Sequence, residues 1–221
     1  MDYDYYHYVR REIAPLLPEC ATRILEVGAG AGGTLKWIKT VYPAAETTAV
    51  ELNPALRDEL QRNADLVLIG SIEETLSSLM TYDLILLLDV LEHLPDSTRT
   101  LQELAKRLVP GGHVIVSVPN IAHLSVSVPL LLRRRFNYQD AGILDRTHLR
   151  FFVEDTAIKL LNEANLTVTS GLISGLQGPK ARLLNLLSLG FLRHHLAKQY
   201  ILLGRSDDHK AVQKRVRWRI A

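Results

Sequence analysis

Three glycines, Gly28, Gly30 and Gly33, stand in GxGxxG spacing within RILEVGAGAGGTL, residues 23–35. Glycines so placed let a strand-to-helix turn bring its backbone close to a ligand. Taken alone, the spacing is that of a nicotinamide-dinucleotide turn. Glu26, two residues before the first glycine, argues otherwise. A carboxylate beside a pyrophosphate is unfavourable, whereas it suits a ligand carrying an ammonium and a sulfonium. Glu51 closes the next apolar run and suits the paired hydroxyls of a ribose, so it serves either ligand. Downstream, LLLDVLEHLP gathers Asp89, Glu92 and His93, and DRTHLRFF places Asp145 three residues before His148. Imidazole is suited to proton transfer near neutral pH, and a nearby acid can orient the ring.

These groups need elements to hold them. Short apolar runs at 22–27, 46–52, 65–70, 82–90 and 113–119 read as strands, with helices at 32–41, 53–64 and 97–108 between them. Asn53 and Pro54 give the second helix an N-cap and an N1 proline. PGG at 110–112 reads as a turn. Apolar strands separated by helices predict a parallel sheet covered on both faces. The rhythm breaks at 120–150, an irregular stretch long enough to be functional. It returns with a helix at 154–164, strands at 166–174 and 199–205, and a Leu-rich segment at 180–197. The expectation is one domain over 1–205, with insertions at about 120–150 and 176–197, followed by a polar, basic and solvated tail at 206–221.

The bulk numbers agree with one soluble domain. The 221 residues are 47% hydrophobic and 23% charged, enough for a sizeable core. A net charge of +2 does not by itself predict a nucleic-acid binder, and no separate RNA-binding module is evident. Cys20 is the sole cysteine, which excludes an intrachain disulfide and a cysteine-based zinc cluster. MDYDYYHYVRREI lacks the basic and apolar regions of a secretory signal. No continuously apolar stretch reaches the ~18 residues of a membrane span. A cytoplasmic enzyme or binding domain is expected.

LEVGAGAGG, VELNP, IGSIEE, YDLILLLDVLEHLPD and LVPGGHVIVSVPN follow one another over residues 22–120. As a set they resemble class I S-adenosylmethionine-dependent methyltransferases. GILDRTHLRFF, 142–152, is similar to a bacterial subgroup associated with sugars, surface glycans or small metabolites. The resemblance implies a seven-stranded, mostly parallel, doubly wound α/β sheet of order 3-2-1-4-5-7-6 with the last strand antiparallel. It implies S-adenosyl-L-methionine as cofactor and S-adenosyl-L-homocysteine as product. Gly28, Gly30 and Gly32 would form the turn under the methionine part, Glu26 would hold its ammonium, and Glu51 its ribose. Leu52 would pack on the adenine, with Ser71 and Ile72 nearby and Asp89 completing the cofactor set. Ser71 has a second reading as a helix N-cap, with Glu74 completing a capping box.

Methyl transfer from a sulfonium is an in-line displacement that rests on alignment. A hydroxyl acceptor also benefits from a base. His148, oriented by Asp145, is the first candidate; His93 is the second, with packing or hydrogen bonding as its other reading. Small-RNA 2′-O-methyltransferases and ubiquinone-pathway O-methyltransferases carry similar acid-x-x-acid-His segments that ligate a divalent metal. The matching set here would be Asp89, Glu92, His93 and His148, although Asp89 stands where those relatives place glutamate. The expectation is a metal-free O-methyltransferase acting on a small molecule or glycan. The alternatives are a metal-assisted enzyme for a quinone precursor or an RNA 2′-hydroxyl, a catalytically silent cofactor-binding subunit, and an NAD-dependent reductase. The tyrosines at 3, 5, 6 and 8 are read as a partial lid or a packed surface helix. PLLLRRRF and ARLLNLLSLGFLRHHL are read as a pocket roof, a homodimer contact or a peripheral contact with anionic lipid.

Overall fold

Strands form where apolar runs can be buried from both sides. In a computed structural model, which describes residues 6–176, 178–207 and 216–221, the strands are β1 (Arg23–Val27), β2 (Glu46–Glu51), β3 (Leu66–Ile69), β4 (Tyr82–Leu88), β5 (Leu108–Pro119), β6 (Leu166–Ser174), β7 (Gln199–Ser206) and β8 (Arg217–Ile220). They form one sheet of order β3-β2-β1-β4-β5-β7-β6-β8. The pairs joining β1 to β5 are parallel, whereas β7 runs antiparallel to β5 and β6. Alternation along β4 sends Ile85 and Leu87 to one apolar layer, and Leu84, Leu86 and Leu88 to the other.

The helices are α1 (Gly33–Val41), α2 (Arg57–Leu60), α3 (Ile72–Thr75), α4 (Ser97–Ala105), α5 (Leu124–Arg133), α6 (Glu154–Glu163), α7 (Pro179–Leu187) and α8 (Arg193–Leu196). Among the described residues no helix is long and apolar enough to cross a membrane. Asn53 caps its turn as expected, but the predicted 53–64 helix is only a 3-10 turn, Pro54–Leu56, followed by α2. The chain leaves the helix where the Asn63 side chain donates to the Ala31 carbonyl, 2.7 Å, tying this segment to the glycine loop. The expected turn at 110–112 lies inside β5, where Gly111 at φ +76° takes up an irregular register. α5 occupies the stretch expected to be irregular. Its Pro129 and its serine and valine positions hide it from a propensity reading, and the His123 side chain caps it at the Ser125 amide, 3.1 Å.

The sheet has eight strands rather than seven, and the tail is where the eighth arises. β8 lies parallel to β6, with Trp218 opposite Gly171. A β-carbon at 171 would come within 2.4 Å of the Trp218 ring, so the glycine makes the seat for the indole. The Trp218 ring nitrogen donates to Glu154, 2.8 Å. Residues 208–215 of the expected basic tail lie outside the described residues. Trp218→Ala is expected to lower stability by about 1–3 kcal/mol in chemical denaturation, less than a fully buried tryptophan because this one is half-buried.

Candidate active site

The order of connections reverses between β1 and β4, so a crevice opens beyond the carboxyl ends of these strands. The loop after β1 fills its floor. Gly28, Gly30 and Gly32 have φ of +71°, +56° and +79°, which side chains other than glycine's rarely adopt. The Gly28 amide donates to Val50, 2.8 Å, and a β-carbon there would meet Val90 at 2.8 Å. Glu51, at the end of β2, accepts from the Gly30 amide at 2.8 Å and the Asn53 amide at 2.9 Å. Each of its oxygens keeps a lone pair toward the crevice for a hydroxyl donor. Leu52 beside it is 70% exposed, an apolar side chain left open at the rim. Ser71 and Glu74 form the capping box at the start of α3, and Ile72 is buried.

Glu26 is buried, and its Oε2 has no hydrogen-bond partner. Burial pushes its carboxyl up to about 8, opposed by Arg10 and by hydrogen bonds from Thr34 and the Leu35 amide. An orphaned carboxylate oxygen under a glycine turn fits a ligand ammonium. The raised pKa makes the folded, ligand-free protein hold a proton that the unfolded chain releases above its ordinary value of 4.5. Stability associated with that proton is therefore full below about 4.5 and lost as pH rises through about 8, by up to roughly 1.4 kcal/mol per unit. Relative to Glu26→Gln, the ligand-free protein is expected to weaken across that window in denaturant titrations. A parallel pH dependence in the two proteins would place the titration elsewhere.

The segment before β1 lies against the glycine loop. The Tyr6 carbonyl accepts from the Ala31 amide, 2.9 Å, and a β-carbon on Gly30 would lie 2.7 Å from that oxygen. His7 meets Glu59 at 3.0 Å. This supports the lid reading for Tyr6; Tyr3 and Tyr5 lie outside the described residues. Arg10, which no motif marked, enters behind them. Its buried guanidinium pairs with Asp89 at 2.7 Å, bonds Ser117 at 3.2 Å and Gln199 at 3.1 Å, and also meets Glu12. Asp89 adopts φ +59° at the end of β4, and its carboxylate also accepts from Ser117 and Gln199.

Beyond Asp89 the chain makes a 3-10 turn, Leu91–His93. The Glu92 carbonyl accepts from the Leu149 and Arg150 amides, 2.8 and 3.1 Å, which fastens the 142–152 segment over this turn. His93 and His148 then stand edge to face, ring centroids 4.7 Å apart. The expected Asp145–His148 pairing is replaced by another arrangement. His148 Nδ1 lies 3.1 Å from the Ile143 carbonyl, which only accepts, so Nδ1 carries the proton. Asp145 instead holds Thr147, whose hydroxyl donates to it at 2.7 Å. With that proton engaged, Thr147 Oγ1 accepts from His93 Nδ1, 3.0 Å. Asp145 therefore orients His93 through Thr147, because the tight turn Asp145-Arg146-Thr147 brings the threonine, not the histidine, onto the carboxylate.

Both rings consequently present an unprotonated Nε2. Glu92, fully buried between the cleft and this segment, has two carboxyl oxygens without hydrogen-bond partners. One ligand atom from each of Glu92, His93 and His148 lies within 4.8 Å of the others. Asp89, the fourth member of the expected metal set, is absent from this group because Arg10, Ser117 and Gln199 engage its carboxylate. Burial, reinforced by Asp89, raises the Glu92 carboxyl well above its ordinary range; burial, reinforced by His148, lowers His93. Phe151 stands 6.4 Å from the His148 ring and 5.7 Å from Phe136, which meets Tyr138 at 5.6 Å. These aromatics form a wall beside the histidines. Sequence reasoning missed Arg10, Thr147 and the wall; the Asp-x-Thr turn in DRTH was the one available signal.

A family model described as a methyltransferase domain matches residues 1–170. The chain belongs to that family. A structure of a SAM dependent methyltransferase from Archaeoglobus fulgidus superposes with a TM-score of 0.65 at 16% identity, covering 89% of this chain and 91% of that one. Among curated proteins, Methyltransferase str2 of Strobilurus tenacellus is 28% identical over 49% of this chain and 40% of its own length. A ubiquinone biosynthesis O-methyltransferase of Vibrio cholerae is 33% identical over 44% of this chain and 42% of its own. The chain thus spans less than half the length of these curated relatives. The methyltransferase's eighth strand and its 179–196 helices lie beyond the family match.

Proposed function

We propose that this methyltransferase uses S-adenosylmethionine to methylate a hydroxyl of a small molecule or glycan, leaving S-adenosylhomocysteine. The observation that supports the hydroxyl reading is the bond from His148 Nδ1 to the Ile143 carbonyl, 3.1 Å, which leaves Nε2 as the basic nitrogen of the neutral ring. When bound, the cofactor supplies a methyl on a sulfonium whose thioether departs neutral, so no acid is needed for the leaving group. The chain must orient the acceptor and take its proton. Gly28, Gly30 and Gly32 shape the floor, Glu26 would hold the ammonium, and Glu51 would accept from the ribose hydroxyls. Leu52 offers an apolar surface to the adenine, near Ser71 and Ile72. Asp89 acts through Arg10, tying the end of β4 to the segment before β1. His148 Nε2 accepts the acceptor's proton as the new bond forms, and the aromatic wall of Phe136, Tyr138 and Phe151 limits water beside it. The ubiquinone-pathway name of one relative and the ring-lined wall support a small cyclic hydroxyl compound. A trideuteromethyl cofactor offered with matched hydroxyl and amine acceptors is expected to give a labelled ether. A labelled amine in its place would end the hydroxyl reading.

One observation favours a second reading. Neither Glu92 oxygen has a hydrogen-bond partner, and one of them lies within 4.8 Å of a ring nitrogen of His93 and a ring nitrogen of His148. Such a set fits a divalent transition metal, which would lower the pKa of a bound hydroxyl. The experiment is dialysis against a chelator followed by assay and Mn²⁺ titration. The imidazole-base reading expects unchanged turnover and no stoichiometric Mn²⁺ uptake. Lost turnover restored by Mn²⁺ would make Glu92, His93 and His148 ligands instead.

A further inference from the structure

Most large apolar side chains left in solvent among the described residues lie in two stretches on the acceptor side. The most exposed are Leu131 (81%) and Leu132 (74%) in α5, Leu186 (71%) and Leu187 (72%) in α7, and Leu189 (87%) and Phe191 (85%) in the turn after it. α7 is turned inside out. Ala181, Asn185 and Ser188, the small and polar positions of one stripe, are half-buried, while leucines fill the solvent-facing arc. A soluble surface gives no reason for that inversion.

The roots of the two stretches meet where β5 ends and β7 begins. The Asn120 amide donates to Lys198, 2.9 Å, and its side chain donates to the His194 and Ala197 carbonyls, 2.8 Å each. Leu124 and Leu192 anchor them against the same apolar layer. Their charge is one-sided: residues 121–139 and 178–206 contain no Asp or Glu. Arg133, Arg134 and Arg135 are exposed at the end of α5, and Lys180 and Arg182 are exposed at the start of α7.

We propose that α5 and α7 dock on the surface of an anionic lipid bilayer. Leucine and phenylalanine side chains would enter the acyl boundary, while arginine stems reach along them to place guanidinium groups among lipid phosphates. A second copy of the chain fits less well, because a twofold contact would bring the same arginine- and lysine-bearing stretches against themselves. The proposal goes beyond the methyl-transfer reading and does not depend on it.

The test is co-sedimentation of the whole chain with vesicles of phosphatidylcholine, with and without phosphatidylglycerol. Partitioning is expected to be roughly tenfold or more stronger on the anionic vesicles and to weaken with salt. The combined variant Leu131→Ser, Leu132→Ser, Leu187→Ser, Leu189→Ser and Phe191→Ser should lose it. The variant Arg133→Gln, Arg134→Gln and Arg135→Gln should lose the preference for anionic lipid. All these side chains are exposed, and an unchanged circular-dichroism melt verifies folding. Absence of vesicle binding, or binding indifferent to both variants, overturns the proposal. So does a concentration-dependent dimer in sedimentation velocity that the leucine variant abolishes while vesicles bind nothing.

Discussion

His148→Asn is expected to cut turnover by about 10²- to 10⁴-fold with cofactor affinity nearly unchanged. Asparagine can still donate to the Ile143 carbonyl but has no basic nitrogen where Nε2 stands, so the segment keeps its anchor and loses its base. His93→Asn should cost less, because His93 touches the base by its ring edge and is held from behind by Thr147. Initial rates with saturating cofactor, together with calorimetric titration of S-adenosylhomocysteine, separate the two effects. Full turnover in folded His148→Asn would leave methyl transfer to alignment alone. Joint loss of binding and rate would make His148 a structural residue of the covering segment.

Glu51→Ala is expected to weaken cofactor binding by about 1–3 kcal/mol, roughly 5- to 150-fold in Kd. Two losses combine. The ribose hydroxyls lose their charged acceptor, and the glycine loop loses the carboxylate that holds the Gly30 and Asn53 amides. Glu51→Gln should fall between, since its amide oxygen can still accept one of these bonds. Gly30→Ala disturbs the same floor differently. Its β-carbon would press on the Tyr6 carbonyl in a backbone conformation alanine adopts at a cost, so the covering segment must shift. Calorimetry on all three variants checks the order; an unchanged affinity for Glu51→Ala would remove that residue from the site.

The sheet was legible because β1, β4 and β5 are apolar on both faces, with glycines after β1 and Asn53-Pro54 after β2. The glycine turn after β1 and the acid ending β2 were legible because residue type alone marks them, Gly28, Gly30 and Gly32 by their freedom at positive φ and Glu51 by its charge after an apolar run. β8 was hidden by its arginines. In RVRWRI the charges dominate the composition, and only the alternation of Val216, Trp218 and Ile220 betrays a strand. The acceptor side was legible in residue types but not in pairings. Asp145 and His148 are three apart, which suggests contact, yet the turn between them hands the carboxylate to Thr147. Arg10 could not be found by pattern, since its partners Asp89, Ser117 and Gln199 come from the ends of β4, β5 and β7. Contacts of that kind depend on strand order, which local spacing does not encode.

One crevice is expected to bring the cofactor's sulfur to the Glu92–His93–His148 cluster. A crystal structure with S-adenosylhomocysteine tests this without knowledge of the acceptor. The expected complex has the ammonium against Glu26, the ribose hydroxyls on Glu51, and the sulfur facing the gap beside His148 Nε2. Ligand density elsewhere, or a sulfur turned away from the histidines with that gap filled by Arg10 and the covering segment, would contradict it.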